Sequence, residues 1–353
     1  MNIAGMGVVF TRGRGAAALE QALEQGWVAP GTVAVPAGSA PAYVVAPETL
    51  ADKTVLAKAR RADRFTRMAV LAAADALQDS GLAGRLDTSR LGTIVATALG
   101  PHTTTFGFLD GILEFGDAGV SPTAFSHSVH NAAASYIAMT LDVRGPTLTV
   151  THFHFAFHQA LLLADAWLAE GRCDHVLVGT VDEVGAVMAY ASGRLCRTPA
   201  DGRIKPLAFA TAPEAVPGEG SVFFLVSRGE GAGYGRVAGA QLTAVPEPAP
   251  EGAVHLLDAD GLSHDESGYR AVAREGLPVA SYAPLCGSLM TISAFHAAVA
   301  ALMLRRGRRY AVPVPDGAGD LQVCHESGPA EIRHVFCTRL DCAGNRVTLH
   351  LAR

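Results

Sequence analysis

The chain has 353 residues, 49% of them hydrophobic and 17% charged, and a formal net charge of −5. That supplies a large buried core and leaves no basic surplus, which excludes a nucleic-acid or anionic-membrane binder read from charge alone. No apolar run extends over about 18 residues without a His, Asp, Arg or Gly, so no membrane span is expected.

The N-terminus, Met1 to Phe10, lacks a basic leader and reads as a buried strand rather than a signal peptide. Six scattered cysteines without a CxxC pair point to reduced thiols and a cytoplasmic protein.

In chain order, Met1 to Val9 is an apolar, glycine-interrupted strand, and Ala16 to Gln25 a short helix stopped by Gly26. Ala29 to Glu48 is rich in Pro, Ala and Gly and reads as loop. Ala51 to Gly81 holds the clearest amphipathic helix, with Phe65, Met68, Leu71, Ala72 and Leu77 at helical spacing. The charge run Arg60 to Arg64 at its entry reads first as a solvated face, with docking of an acidic carrier protein as the alternative. Leu91 to Ala98 is a strand, and the aromatic stretch Phe106 to Phe115 follows. The small residues Ala132 to Met139 allow two helices to approach closely, which favours a dimer.

Thr147 to Thr151 is a β-rich run that turns at His152-Phe153-His154-Phe155 into a helix continuing through Leu168. Such a turn presents one side chain to the N–H groups of a helix N-terminus, a place suited to a nucleophile. Further on come a strand in Cys173 to Gly179, a polar loop Thr198 to Lys205, and the turn Pro217-Gly218-Glu219-Gly220 leading into a strand to Val226. After Ser227 a second alternation begins. Gly235 to Leu242 and Val254 to Asp258 are strands flanking a Pro-rich loop, Pro246 to Pro250, and helices lie near Ser267 to Glu275 and Met290 to Arg306. Alternating strands and helices imply a mostly parallel sheet.

On Gly145-Pro146, Thr149-Val150, Ala160-Leu161, the Asp63-Arg64-Phe65 entry, Pro206-Leu207-Ala208-Phe209 and Pro217-Gly218-Glu219-Gly220, the sequence resembles the β-ketoacyl synthases, the condensing enzymes of fatty acid and polyketide synthesis. The resemblance implies an α/β protein of the thiolase fold, two duplicated βαβ halves in a five-layer αβαβα arrangement. The halves are expected at 1–228 and 229–353, the second of them shortened.

The same resemblance locates what is missing. The family's nucleophilic Cys corresponds to His154, with Phe153, Phe155 and Phe157 in place of small neighbours. Ser288, after Gly287, stands where a catalytic histidine is expected, no Lys is near it, and a further histidine is matched to His325. The glycine-rich loop near the C-terminus has become Leu340 to Asn345. These changes together imply a non-condensing homologue similar to the chain length factors of type II polyketide or aryl polyene-type synthases. Such a chain pairs with an active ketosynthase, meets acyl carrier protein through the complex, and uses no cofactor. Phe108, Ile112, Phe115, His130, Asn131, Phe153 and Phe155 are then the tunnel or interface residues.

Two other readings compete. His152, His154 and His158 share spacing with zinc ligands, and His154 with His325 would supply acid–base help to a malonyl-thioester decarboxylase or acyl hydrolase.

Overall fold

The computed structural model describes residues 1–36, 38–229, 233–241, 250–262, 266–273 and 276–353. Its main sheet is laid down twice. The first five strands are β1 (Asn2–Phe10), β2 (Leu91–Thr97), β3 (Thr147–Thr151), β4 (His175–Asp182) and β5 (Gly220–Ser227). The next five are β6 (Arg236–Gln241), β7 (Ala253–Leu257), β8 (Val279–Ala280), β9 (His334–Leu340) and β10 (Arg346–Ala352).

Their spatial orders are β1-β5-β4-β2-β3 and β6-β10-β9-β7-β8, the same path repeated. In each set the first, fifth and fourth strands of the sequence pair antiparallel. The fourth, second and third pair parallel. The two sets touch at Asn2 opposite Arg236, reinforced by backbone bonds between Ile3 and the Tyr234-Gly235 segment. Repetition of a four-pairing pattern with one order is the topology of a duplicated α/β unit.

Alternation along the strands sorts residues to two faces. On β5, Phe223 and Leu225 join an outer cluster, whereas Val222, Phe224 and Val226 face inward. The outer cluster is closed by α2 (Arg64–Asp79) and α5 (Ala132–Leu141), which bury Phe65, Met68, Leu71 and Ile137. The inner cluster holds α6 (Ala156–Ala169) and α9 (Ile292–Arg306), sandwiched between the two strand sets. α9 is apolar on nearly every side because it has sheet or helix all round it. On β1, Gly5 and Gly7 let α2 lie against the strand, since a Cβ at either would stand 2.2 or 2.0 Å from a carbonyl oxygen of that helix.

Some sequence expectations shift. The Ala29 to Glu48 segment contains a hairpin, Gly31–Val35 paired antiparallel with Gly38–Ala42, whose small residues let the two short strands lie side by side. The long helix expected over Ala51 to Gly81 begins only at Arg64, where Asp63 caps it by accepting the Thr66 N–H; Pro47–Leu50 and Val55–Ala57 are single 3₁₀ turns. The aromatic stretch starts earlier, as α3 (His102–Phe115), and is followed by α4 (Pro122–Ser128). Two elements were not foreseen, α7 (Ala186–Leu195) and the β9–β10 hairpin, whose turn is the Leu340 to Asn345 segment. Leu242, most of the Pro246 to Pro250 loop, and Arg274 and Glu275 of the expected helix lie outside the described residues; the helix there is seen as Ser267–Ala273.

Candidate functional site

The turn from β3 into α6 is built by a histidine. His152 Nδ1 accepts the backbone N–H groups of His154 and Phe155, each at 3.1 Å, and its ring stacks on Phe155 at 5.5 Å. That bond set folds Phe155 inward and leaves Phe153 outside, 56% exposed. Phe155 and Phe157 are buried, the latter against Phe224. Among the described residues His158, fully inside, has no partner at either ring nitrogen, and half-buried His154 has none at Nδ1. Burial, then the charge of Arg339, lowers the His154 pKa to about 4, and burial likewise takes His158 to about 4. Both imidazoles are therefore neutral near pH 7.

A second buried polar network comes from the second half, near enough for the charge of Arg339 to bear on both imidazoles. Arg339 Nη1 donates to the Asp258 carbonyl at 2.7 Å and lies 3.0 Å from Asp260 Oδ2, both side chains fully buried. The Asp258 carboxylate takes Ser293 Oγ and His296 Nδ1. His296 Nε2 accepts the Tyr282 N–H at 2.9 Å, so its proton sits on Nδ1 and points at Asp258. Burial opposes the charge on Asp258, but His296, Arg339 and Ser293 outweigh it and lower its pKa. Burial raises Asp260 despite Arg339.

Ser288 reaches this network through the backbone. Its Oγ donates to the Asp260 carbonyl at 2.5 Å and accepts the Val216 N–H at 3.2 Å. Gly287 makes that position reachable, since it has φ +86° and a Cβ there would stand 2.6 Å from the Tyr43 ring. Ser288 lines one cavity and Asp260 another. One, of about 70 Å³, is lined by Leu99, Glu183, Met188 and Met290, with Asp182 and Ser288. The other, of about 130 Å³, runs from Arg197 and Lys205 inward to Asp260 and Glu266. Burial pushes Glu183 up to about 7 and, with help from the charge on Asp260, Glu266 up to about 8.

The remaining sequence candidates divide. His154 and Ser288 flank the Arg339–Asp260 pair, but His325 is exposed on the surface with no contact to it, because the segment carrying Val323 to Glu326 runs along the outer edge at β8. Phe108 and Ile112 are partly buried, Phe108 against Phe125 at 5.6 Å, and Phe115 is 63% exposed. His130 is exposed with its ring over Gly100, and Asn131 precedes α5 as its N-cap residue without a side-chain cap. The zinc reading finds no support in the geometry. His152 Nδ1 is already an acceptor, and among the described residues no group of three His, Cys, Asp or Glu is placed to hold a metal.

Sequence reasoning missed Arg339, Asp258, Asp260 and His296. The signal was present: Arg339 interrupts the apolar run Val335 to Leu340, and a charge on a central strand needs a buried partner.

Solved structures share this architecture over the whole chain. A β-ketoacyl synthase from Burkholderia phymatum STM815 superposes with a TM-score of 0.77 at 18% identity, covering 100% of this chain and 98% of its own. The ishigamide ketosynthase/chain length factor gives 0.77 at 17%, covering 99% and 98%. The ketosynthase ApeO in complex with its chain length factor ApeC, from Xenorhabdus doucetiae, gives 0.75 at 16%, covering 99% and 97%. The fold is thus the thiolase fold of these ketosynthases. A putative polyketide β-ketoacyl synthase from Streptomyces halstedii is 33% identical over 140 residues, 38% of this chain, so the match spans about a third (32%) of that relative's length. The family model for the β-ketoacyl synthase N-terminal domain matches residues 2–232, and the chain belongs to that family.

Proposed function

We propose that this chain is a non-condensing member of the family that acts as a chain length factor, pairing in the cytoplasm with an active ketosynthase subunit and shaping the tunnel in which a polyketide or fatty acyl chain grows. The observation that carries this reading is the filled turn at the start of α6. A condensing enzyme needs a thiolate there to accept and release the acyl group. In its place are a half-buried neutral imidazole, two inward phenyl rings and a buried ion pair.

A partner surface supports the same reading. Among the described residues β3 ends the sheet and pairs with β2 alone, and Leu148 on it is 44% exposed. α5 packs against β3 and α4 against α5, and α3 and α4 bury only His102 and His127 and present Leu109, Leu113, Phe115 and Phe125 to solvent. A bare strand edge flanked by exposed apolar helices is a liability that a second subunit relieves. Acyl carrier protein would then be met through the complex.

The experiment is co-expression with a candidate ketosynthase from the same source, followed by light scattering on a sizing column and an assay of condensation. The expected result is a one-to-one complex that condenses, with this chain alone inert. A stable homodimer that ignores the ketosynthase, or condensation by this chain alone, overturns the reading.

A further inference from the structure

Asp260 and Glu266 are both buried, and their side chains cap one turn. Glu266 Oε1 accepts the Gly261 N–H at 2.8 Å and Asp260 Oδ1 accepts the Leu262 N–H at 3.2 Å, so the two carboxyls hold neighbouring amides. Among the described residues one buried cation touches them: Arg339 Nη1 lies 3.0 Å from Asp260 Oδ2. That nitrogen donates to the Asp258 carbonyl, and Asp260 Oδ2 has no hydrogen-bond partner among the described residues. Two buried carboxyls with a single cation lack one positive charge, and one of them keeps its proton. Burial and the charge on Asp260 accordingly push Glu266 up to about 8.

Both carboxyl residues line the cavity of about 130 Å³, whose apolar wall is Ile204, Pro206, Ala208 and Ala210. Backbone bonds fix its frame: the Glu266 N–H donates to the Ala210 carbonyl and the Glu214 N–H to the Gly261 carbonyl, each at 3.0 Å. Gly261 permits the second, since it has φ +82° and a Cβ there would stand 1.9 Å from the Glu214 carbonyl oxygen. Arg197, Lys205 and Glu214 line both this cavity and a surface groove of about 500 Å³, which is therefore the way in. Arg197 and Glu214 pair with each other at that mouth, so the arginine is not spare for the carboxyls inside. Carboxyls at the inner end and a short apolar wall behind them suit a ligand with a cationic N–H donor at one end and a few carbons attached to it. A metal ion is a poorer match, because among the described residues no group of three His, Cys, Asp or Glu is placed to hold one.

We propose that this cavity binds a small primary amine, whose ammonium group donates to Glu266 and Asp260 while its alkyl chain lies along Ile204 and Pro206 toward the groove. On binding, the Glu266 proton passes to solvent, and the carboxylate left behind pairs with the ammonium. The charged and titratable groups around Glu266 are Asp260 on the turn it caps, Arg339 from β9, Tyr269 from the helix Ser267–Ala273 and, at the mouth, Arg197, Glu214 and Lys205. The site does not depend on the chain length factor reading, since it needs no partner subunit.

The test titrates the purified full-length chain with propylammonium chloride, and in parallel with tetramethylammonium chloride, sodium chloride and propanol, by calorimetry near pH 7 in phosphate and in HEPES buffer. Propylammonium is expected to saturate one site and to release about one proton, read as a binding heat that differs between the two buffers. Its affinity is expected to rise about tenfold between about pH 7 and 9 as Glu266 ionises. Tetramethylammonium, which has no N–H, sodium, and the uncharged alcohol should show no saturable binding. Glu266→Gln still accepts the Gly261 N–H but cannot ionise, and is expected to abolish the proton release and weaken binding about tenfold or more. If that variant does not fold, the comparison of the four solutes on the unaltered chain decides. Saturation by any control solute to the same extent, no saturable heat from propylammonium, or binding without proton release each overturn the proposal.

Discussion

Arg64 and Glu219, 155 residues apart in sequence, are joined by a fork in which Arg64 Nε lies 3.0 Å from Oε1 and 3.1 Å from Oε2 of the carboxylate. Glu219 is fully buried and does more than hold the arginine. Its oxygens accept the N–H groups of Val45 at 2.7 Å and Val184 at 3.1 Å. One side chain therefore ties the start of α2, the segment after the first hairpin, the end of β4 and the entry to β5. Glu219→Ala strands a cation and two backbone donors, and the expected loss is about 3–5 kcal/mol. Urea denaturation of the purified chain measures it, and a loss below about 1 kcal/mol would contradict this role.

Asp63 performs two tasks at the same junction. Oδ1 accepts the Thr66 N–H at 2.9 Å, capping α2, and Oδ2 accepts Thr104 Oγ1 at 2.7 Å. Asp63→Ala is expected to cost about 1–2 kcal/mol, and Asp63→Asn, which can still cap, less than half as much. A melting series in which the two variants are indistinguishable would show that the cap is not what matters there.

The charge run around Arg64 shows what sequence can and cannot carry. Its neighbours Arg60 and Arg61 are exposed, as a solvated face requires, but Arg64 is the buried-pair residue, and nothing in residues 60–65 names Glu219 as the partner. The fold was legible through the family resemblance, whereas the alternation of strands and helices alone implied a mostly parallel sheet and the first, fifth and fourth strands of each set in fact pair antiparallel. Which face a strand residue takes is a local property. Val222 to Leu225 sort to two faces by period alone. The α6 turn was legible as well, since a β-rich run ahead of an apolar helix specifies it. Long-range ion pairs were not legible. Arg339 meets Asp260 only once two strands of the second half are brought side by side, and His325 was matched by local similarity to a stretch that the fold leaves on the surface.

Buried titratable groups give the stability a shaped pH profile. Glu183 and Glu266 have folded pKa values raised to about 7 and about 8, so they hold a proton that the unfolded chain releases above about 4.5. Their contribution is complete below that unfolded value and is lost as pH rises through 7 and then 8. His154 and His158, lowered to about 4, work in the opposite sense: their contribution is complete above about 6.5 and is lost as pH falls toward 4. The two trends oppose one another below about 6.5, and only the carboxyl trend operates above it. Stability is therefore expected to fall by roughly 1–2 kcal/mol between about pH 6.5 and 8. Glu266→Gln, which stays neutral throughout, should flatten the upper part of that fall. Urea midpoints that rise over this interval, or a Glu266→Gln profile parallel to the unaltered one, would contradict the assignment.

The open edge of β3 supplies a test that separates folding from assembly. Leu148 is 44% exposed there and Phe153 is 56% exposed at the turn that follows, so neither contributes much to the isolated chain. Leu148→Lys is expected to change its stability by no more than about 0.5 kcal/mol. In a complex the same lysine places a charge on an apolar strand edge, where it must be desolvated without a partner. Binding to a cognate ketosynthase should then weaken at least about tenfold, about 1.4 kcal/mol. Phe153→Ala removes an aromatic anchor of the kind that dominates interface energetics, and its effect should be of similar size. His325→Ala, exposed in the second half away from this edge, is the control and should bind as the unaltered chain does. Light scattering of each variant mixed with the ketosynthase reads the outcome. If Leu148→Lys assembles normally while keeping its stability, the β3 edge is not where the subunits meet, and the apolar surface of α3 and α4 becomes the face to alter next.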